Sequence, residues 1–292
     1  MKTRGFSLLE VLIVVILITL IMFLVDIWPK GTRELSTRAQ CSSHLHGIGA
    51  ALHIYANDNM NWLPVVGNGK SGFGRGLYDP NSLRWVQKDF AEWDSQATPG
   101  GCLYLLVKYA GLAPGDFVCP ASKNKQMSLA YASAFCQFRN LPEPRNWTDL
   151  NDFPSLDYLS YSYHDVWTAK TTTPGNPALP ILADKNPAYD TPDGHRRADL
   201  GRTPAPNPDG GWCDPQGRNQ RTAMSANHNR EVNIVLFLGG SVRQSSTPQV
   251  GLHEDNIYSA WASSQNPIAD DLRLGRWDAS RAAAPADSYL GN

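Results

Sequence analysis

No sign of charge dominates this chain of 292 residues: 26 lysines and arginines stand against 27 aspartates and glutamates, for a formal charge of -1. That balance excludes the broad basic field on which nucleic-acid binding relies, and no nucleic-acid partner is expected. Cysteine is scarce, five in all, and no two stand in a Cys-x-x-Cys pair, so neither a zinc ribbon nor a dithiol redox motif is present. Gly-x-Ser-x-Gly, His-Glu-x-x-His and kinase signatures are missing, as is any internal repeat. The stretch GNGKSGFGRG, residues 67–76, contains Gly69-Lys70-Ser71, but phosphate-loop spacing puts Pro64 where glycine is required. A helix end, not a strand, precedes it, so it reads as a turn. No catalytic residue and no enzymatic activity are expected. Disorder is excluded as well, because 42% hydrophobic and 18% charged residues suffice for a sizeable core.

What the sequence does have is one long apolar run near its start, in MKTRGFSLLEVLIVVILITLIMFLVDIWPK. Residues 6–25 are enough for a helix across a hydrocarbon core of ~30 Å. Lys2 and Arg4 precede the run and Trp28 follows at the expected interfacial position, which orients the short N-terminal end toward the cytoplasm and the remainder outward. A cleaved secretory signal would require a small-x-small site after the run, and LVDIWPKGTRE offers none. A plain anchor leaves Glu10 unexplained, since a carboxylate in a membrane helix costs roughly 2.5–3.5 kcal/mol on insertion scales.

Gly5, Phe6 and Glu10 together resemble the N-terminal motif of type IV pilins and type II secretion pseudopilins. In that family a short basic leader ends in Gly, Phe follows, and Glu is fifth in the mature chain. The resemblance implies a leader of residues 1–5, cleavage between Gly5 and Phe6 by a membrane-embedded prepilin peptidase, and N-methylation of Phe6. It gives Glu10 an assembly role: its carboxylate meets the cationic N-terminus of a neighbouring subunit, and two opposite buried charges offset each other where one alone would be strongly unfavourable.

Beyond Pro29, which should kink or melt the helix, the segment from Thr32 carries Leu35, Ala39, Ser42, Leu45, Ile48, Leu52 and Tyr55 at spacings of three and four. This predicts an amphipathic helix over residues 32–58, ended by the cluster Asn57, Asp58, Asn59. CSSHLHGIGAALHIYANDNMNWLP within it is similar to the Cys-x-x-Asn-Leu-x-x-Ile-Gly-x-Ala-Leu-x-x-Tyr region of planctomycete-type pseudopilins, with His44 in place of Asn. FVCPASK, around Cys119 and Pro120, matches their Phe-x-Cys-Pro element. HNREVNIVLFLGGSVR, residues 228–243, corresponds to their C-terminal element of His followed by Asp-Gly, but has Gly239 for the Asp and one extra residue. Read from the residues alone, this last stretch is a hairpin: strand 232–238, a two-residue turn at Gly239-Gly240, and strand 241–245.

Between helix and hairpin lie short aromatic strand candidates around Trp85, Leu105 and Tyr161. The middle one has helical spacing at Leu103, Leu106, Val107 and Ala110, with Gly111 able to cap it. Residues 171–220 are rich in proline and glycine and read as surface loop apart from the strand PILAD, residues 180–184. Residues 244–292 read as a C-terminal extension. If the head is exported, Cys102, Cys119, Cys136 and Cys213 are candidates for two bridges, in any of three pairings. Asp184, Asp190 and Asp193, in DKNPAYDTPDG, loosely resemble a calcium loop without its regular spacing; a solvated acidic loop is the preferred reading, and no metal or cofactor is expected. His46 and His53, about 10 Å apart along a helix, are too distant to share an ion, and His228 reads as part of the core hairpin region.

The expectation is an α+β, pilin-like protein. Residues 6–28 form the transmembrane half of an N-terminal helix and 32–58 the periplasmic half. That helix packs on a small antiparallel sheet within a head of residues 59–292. Its expected function is that of a structural subunit of a type II secretion pseudopilus or related filament, single-pass in the inner membrane with a periplasmic head. Its expected partners are other pilin or pseudopilin subunits, prepilin peptidase, the secretion or pilus assembly machinery, and membrane lipid. The alternative is a membrane-tethered or filament-tip module that binds polysaccharide or a secreted protein through aromatic loops carrying several of the nine tryptophans.

Overall fold

Proline has no N–H to donate, which suits it to the first turn of a helix, and Pro29 is the first described residue of the second helix. In the computed structural model, which describes residues 8–27, 29–66, 98–138, 140, 142–154, 156–167, 171–187, 224–258, 288 and 290–291, the first helix, α1, is Leu8–Ile27 and the second, α2, is Pro29–Asp58. Side chains are described throughout these residues except at 24–27, 29–32, 156 and 291. The expected restart at Thr32 thus moves to Pro29, while the helix ends at the Asn57, Asp58, Asn59 cluster. Every described side chain of α1, residues 8–23, is exposed and apolar save Glu10 and Thr19. No helix among the described residues is long and apolar enough to cross a membrane.

The inner face of α2 is Cys41, Leu45, Ile48, Leu52 and Ala56, all fully buried, at spacings of four, three, four and four. Leu35 and Ala39, expected on that face, are instead exposed, and the first turns present Glu34, Thr37 and Arg38 inward. The apolar stripe therefore starts later than the sequence pattern suggested, because the inner neighbours of those turns are polar. Gly49 brings α2 close to the sheet: a Cβ there would lie 2.9 Å from Leu236 Cδ1.

The sheet is a four-stranded antiparallel meander with a two-residue fifth strand, in the order β4-β3-β2-β1-β5. β1 is Tyr161–His164, β2 Pro180–Asp184, β3 Asn233–Phe237, β4 Val242–Ser245 and β5 Leu290–Gly291. The inner three strands are buried along their whole length, as a sheet covered on both faces requires. The β3–β4 connection differs from the expected two-residue turn. Phe237 C=O accepts from Gly240 N–H at 2.8 Å, and Gly240 alone takes positive φ, 82°, which is a tight turn followed by a left-handed bulge residue. Gly239 needs its missing side chain for another reason: a Cβ would lie 2.9 Å from Pro177 Cβ. The C-terminal segment, expected as a bare extension, returns Leu290 to the sheet edge against His164.

The segment around Leu105 is a helix, α3, Pro99–Tyr109. Thr98 caps it by accepting from Gly101 N–H at 2.9 Å, and Gly111 at φ 75° turns the chain so that Leu112 N–H reaches Leu106 C=O. A fourth helix, α4, is Leu129–Phe138. The core lies between α2, α3 and the sheet, with Tyr104, Phe117 and Phe153 in edge contact. The turn at 67–76 and the strand candidate around Trp85 lie outside the described residues.

Candidate functional site

Glu34, Arg38 and Cys41 share one face of α2 because they are separated by four and three residues. That face meets two other parts of the head. One is the loop carrying Cys119, which follows the short 3-10 turn Pro114–Phe117. The other is the 3-10 turn Asn227–Arg230, which leads into β3. In this turn His228, Asn229 and Arg230 are consecutive left-handed residues, with φ of 52°, 56° and 62°. Left-handed backbone costs roughly 1–2 kcal/mol for a residue with a Cβ, so the packing that aims His228 inward must outweigh it.

At the centre Cys41 and Cys119 form a disulfide with a Cα–Cα separation of 5.3 Å. The ring of His228, fully buried, sits against it, with Nε2 3.5 Å from Cys119 Sγ. Nδ1 of the same ring is 3.1 Å from Glu34 Oε1. Arg38 Nε donates to that Glu34 oxygen at 3.0 Å, and its Nη2 donates to Glu231 Oε2 at 3.0 Å. On the inner side Asp184, at the end of β2, brings Oδ2 to 4.0 Å from His228 Nε2. Its carboxylate accepts from Ile234 N–H at 2.7 Å and from Asn227 Nδ2 at 2.9 Å. The result is a line of polar groups from half-exposed Glu231 to fully buried Asp184.

Electrostatics differ at the two ends. Burial acts to raise the pKa of Glu34, but hydrogen bonds from Arg38 and His228, with their charges, outweigh it and hold the carboxyl below its usual range. At Asp184 burial dominates and pushes the carboxyl up, only partly offset by His228, Asn227 and the Ile234 N–H. The arrangement is suited to holding a positively charged or electron-poor centre between sulfur, imidazole and carboxylate. It is not suited to nucleophilic attack, because the sulfur beside His228 is bonded to a second sulfur.

Comparison with protein families, curated proteins and solved structures finds no match for this chain.

The three separate sequence stretches around Cys41, Cys119 and His228 converge on this cluster. The bridge corrects the expected cysteine set: Cys119 pairs with Cys41, which was not among the candidates, while Cys102 and Cys136 are free and buried. Cys102 Sγ accepts from Val66 N–H at 3.4 Å, and burial raises both free thiols above their usual pKa. Cys213 lies outside the described residues. Asp184 is likewise no member of a solvated acidic loop, being fully buried and occupied by protein donors. Asp190 and Asp193 lie outside the described residues, as do Gly5 and Phe6. Glu10 lies in the first turn of α1, on an exposed side of the helix. Sequence reading missed Cys41, Glu34 and Arg38 as site residues. The available signal was the placement of Glu34, Arg38 and Cys41 at helical spacing ahead of the apolar stripe.

Proposed function

We propose that the chain is a structural subunit of a type II secretion pseudopilus or a related type IV pilus-like filament. It is made as a precursor with its N-terminus in the cytoplasm, cut between Gly5 and Phe6 by a prepilin peptidase, and N-methylated at Phe6. It is then held in the inner membrane by residues 6–28 until assembly. The observation that carries this reading is the combination of Gly5, Phe6 and Glu10 with an α1 whose described side chains are all exposed and nearly all apolar. A helix with apolar residues on every side is stable only in lipid or among other apolar helices, and a filament core of packed subunit helices supplies the second setting. The α+β head, with α2 laid across an antiparallel sheet, supports the same reading. The partners are then other subunits of this kind, the peptidase, the inner-membrane assembly machinery and lipid.

Glu10→Val tests the proposal. Removing the carboxylate should leave cleavage after Gly5 intact, because Glu10 is separated from the cut by Phe6 to Leu9 in the sequence, and should abolish incorporation into filaments recovered by shearing or cross-linking. Normal incorporation of the variant would sink the assembly role of Glu10. The rival reading, a glycan- or protein-binding head, depends on presented aromatic side chains. Of its tryptophans, Trp167 is buried with Nε1 donating to Val66 C=O at 2.7 Å, and Trp147 packs against the core. Trp62 is exposed, as are Tyr109, Tyr131 and Phe138, and retention of the chain on immobilised glycans would support that rival reading.

A further inference from the structure

We propose that Cys41, Cys119 and His228, once the bridge is reduced, form a binding site for one thiophilic divalent cation of the zinc class. The inference does not depend on the assembly reading. The two Sγ atoms and a His228 ring nitrogen lie within 4.8 Å of one another, and all three residues are buried. Metal–sulfur bonds of about 2.3 Å and metal–nitrogen bonds of about 2.0–2.1 Å, arranged tetrahedrally, put sulfur and nitrogen about 3.5 Å apart. The Cys119 Sγ to His228 Nε2 distance is 3.5 Å. That edge of a tetrahedron is therefore already formed, and only the two sulfurs must separate, which side-chain rotation on two adjacent backbones allows.

A second observation points the same way. A metal-bound imidazole almost always donates its other N–H to a carboxylate, which fixes the tautomer and raises the ligand's basicity. His228 Nδ1 faces Glu34 Oε1 at 3.1 Å, leaving the Nε2 lone pair directed at the sulfurs. Arg38 in turn holds the same Glu34 oxygen. Asp184 Oδ2, 4.0 Å from Nε2, is an oxygen available on the inner side for a fourth position. His228 is held at this spot through three consecutive left-handed residues, a conformation that persists only where the surroundings dictate it.

The chemistry balances as follows. A small-molecule dithiol transfers two electrons and two protons to the Cys41–Cys119 bridge, giving two protein thiols and becoming a cyclic disulfide itself. Binding of the cation displaces the two thiol protons to solvent, leaving both sulfurs as thiolates on the metal. The same two side chains thus cross-link α2 to the Cys119 loop in either of two ways, by a covalent bond or through an ion.

The test uses the full chain in detergent micelles, oxidised or reduced with a dithiol that is removed anaerobically. Zinc(II) alone is added, followed by metal-to-protein stoichiometry, and cobalt(II) is added in parallel for its absorption spectrum. The expected result is one zinc per reduced chain, none on the oxidised chain, and a thiolate-to-cobalt charge-transfer band. Glu34→Gln should weaken zinc binding by about 10–100-fold, the usual cost of losing the partner of a ligating histidine, and His228→Gln should weaken it by more. Equal binding by oxidised and reduced chains would overturn the proposal without reliance on any variant. So would a cobalt spectrum lacking thiolate bands, or a His228→Gln affinity equal to that of the unaltered chain.

Discussion

Replacement of the Cys41–Cys119 bridge is the perturbation with the largest consequence for the head. The bridge closes a loop with a sequence separation of 78 residues, between the middle of α2 and the segment before α4. The chain-entropy relation for a cross-link of that size gives a loss of about 15 cal/mol/K from the unfolded ensemble, or about 4.5 kcal/mol at 25 °C. Alanine is the suitable replacement, because both sulfurs are buried and a serine hydroxyl would need a new partner. Cys41→Ala, Cys119→Ala and the double variant should each lose about 4–5 kcal/mol, since the first substitution already removes the whole cross-link. For a head of this size the melting temperature should fall by roughly 10–18 °C. Urea unfolding followed by tryptophan fluorescence, with a chelator present to exclude metal, measures the loss. The reasoning is refuted if the singles lose less than about 1 kcal/mol, or if the double variant loses the sum of the two singles, because additivity would mean that the residues act independently.

Two further expectations concern other parts of the head. His164 is fully buried on β1 with neither ring nitrogen hydrogen-bonded to a described residue, and burial pushes its pKa down to about 4. A base with a depressed folded pKa binds fewer protons folded than unfolded, so its contribution is intact above about pH 6.5 and is lost as pH falls from there toward 4, by about 3 kcal/mol in all. His164→Leu should flatten that part of the stability-versus-pH curve, and an unchanged slope would count against the assignment. Two of the glycines of α2, Gly47 and Gly49, should respond oppositely to alanine. At Gly47 no atom of the described residues lies within 4 Å of a Cβ, so Gly47→Ala should stabilise by roughly 1 kcal/mol through helix propensity. At Gly49 the Cβ would meet Leu236 at 2.9 Å, and Gly49→Ala should cost about 1–3 kcal/mol in urea unfolding. The same sign at both positions would show that the helix-to-sheet spacing is misjudged.

Local pattern made several elements legible. PILAD is a run of apolar residues between turn signals, and it is β2 with the expected bounds. The hairpin was visible in its β-branched strand and paired glycines, although the turn geometry was not, because two adjacent glycines permit several turns and only packing against Pro177 selects one. The inner face of α2 was read correctly from Leu45 onward and wrongly before it, since Leu35 has the right spacing yet is exposed, in turns whose inward side chains Glu34 and Arg38 meet polar partners. The candidate site was less legible. His228 and Cys119 stood out within their motifs, but Glu34 and Arg38 look in sequence like ordinary surface charges. Their role follows from Glu34 meeting a histidine 194 residues away and from Arg38 holding Glu34 and Glu231.

What the sequence determined by itself were properties set by neighbours along the chain. These are the apolar run with its single acid, the 3.6-residue stripe of α2 and the hairpin strands near the C-terminus. Helix and strand periodicity, and proline's missing donor, act within a few residues and are therefore readable locally. Tertiary structure alone decided which cysteine pairs with Cys119, that Asp184 is buried rather than solvated, and that Leu290 returns to the sheet edge. Each of these depends on contacts between residues far apart in the chain. Burial and charge pairing are properties of the assembled interior, and no local pattern encodes which distant groups will share it.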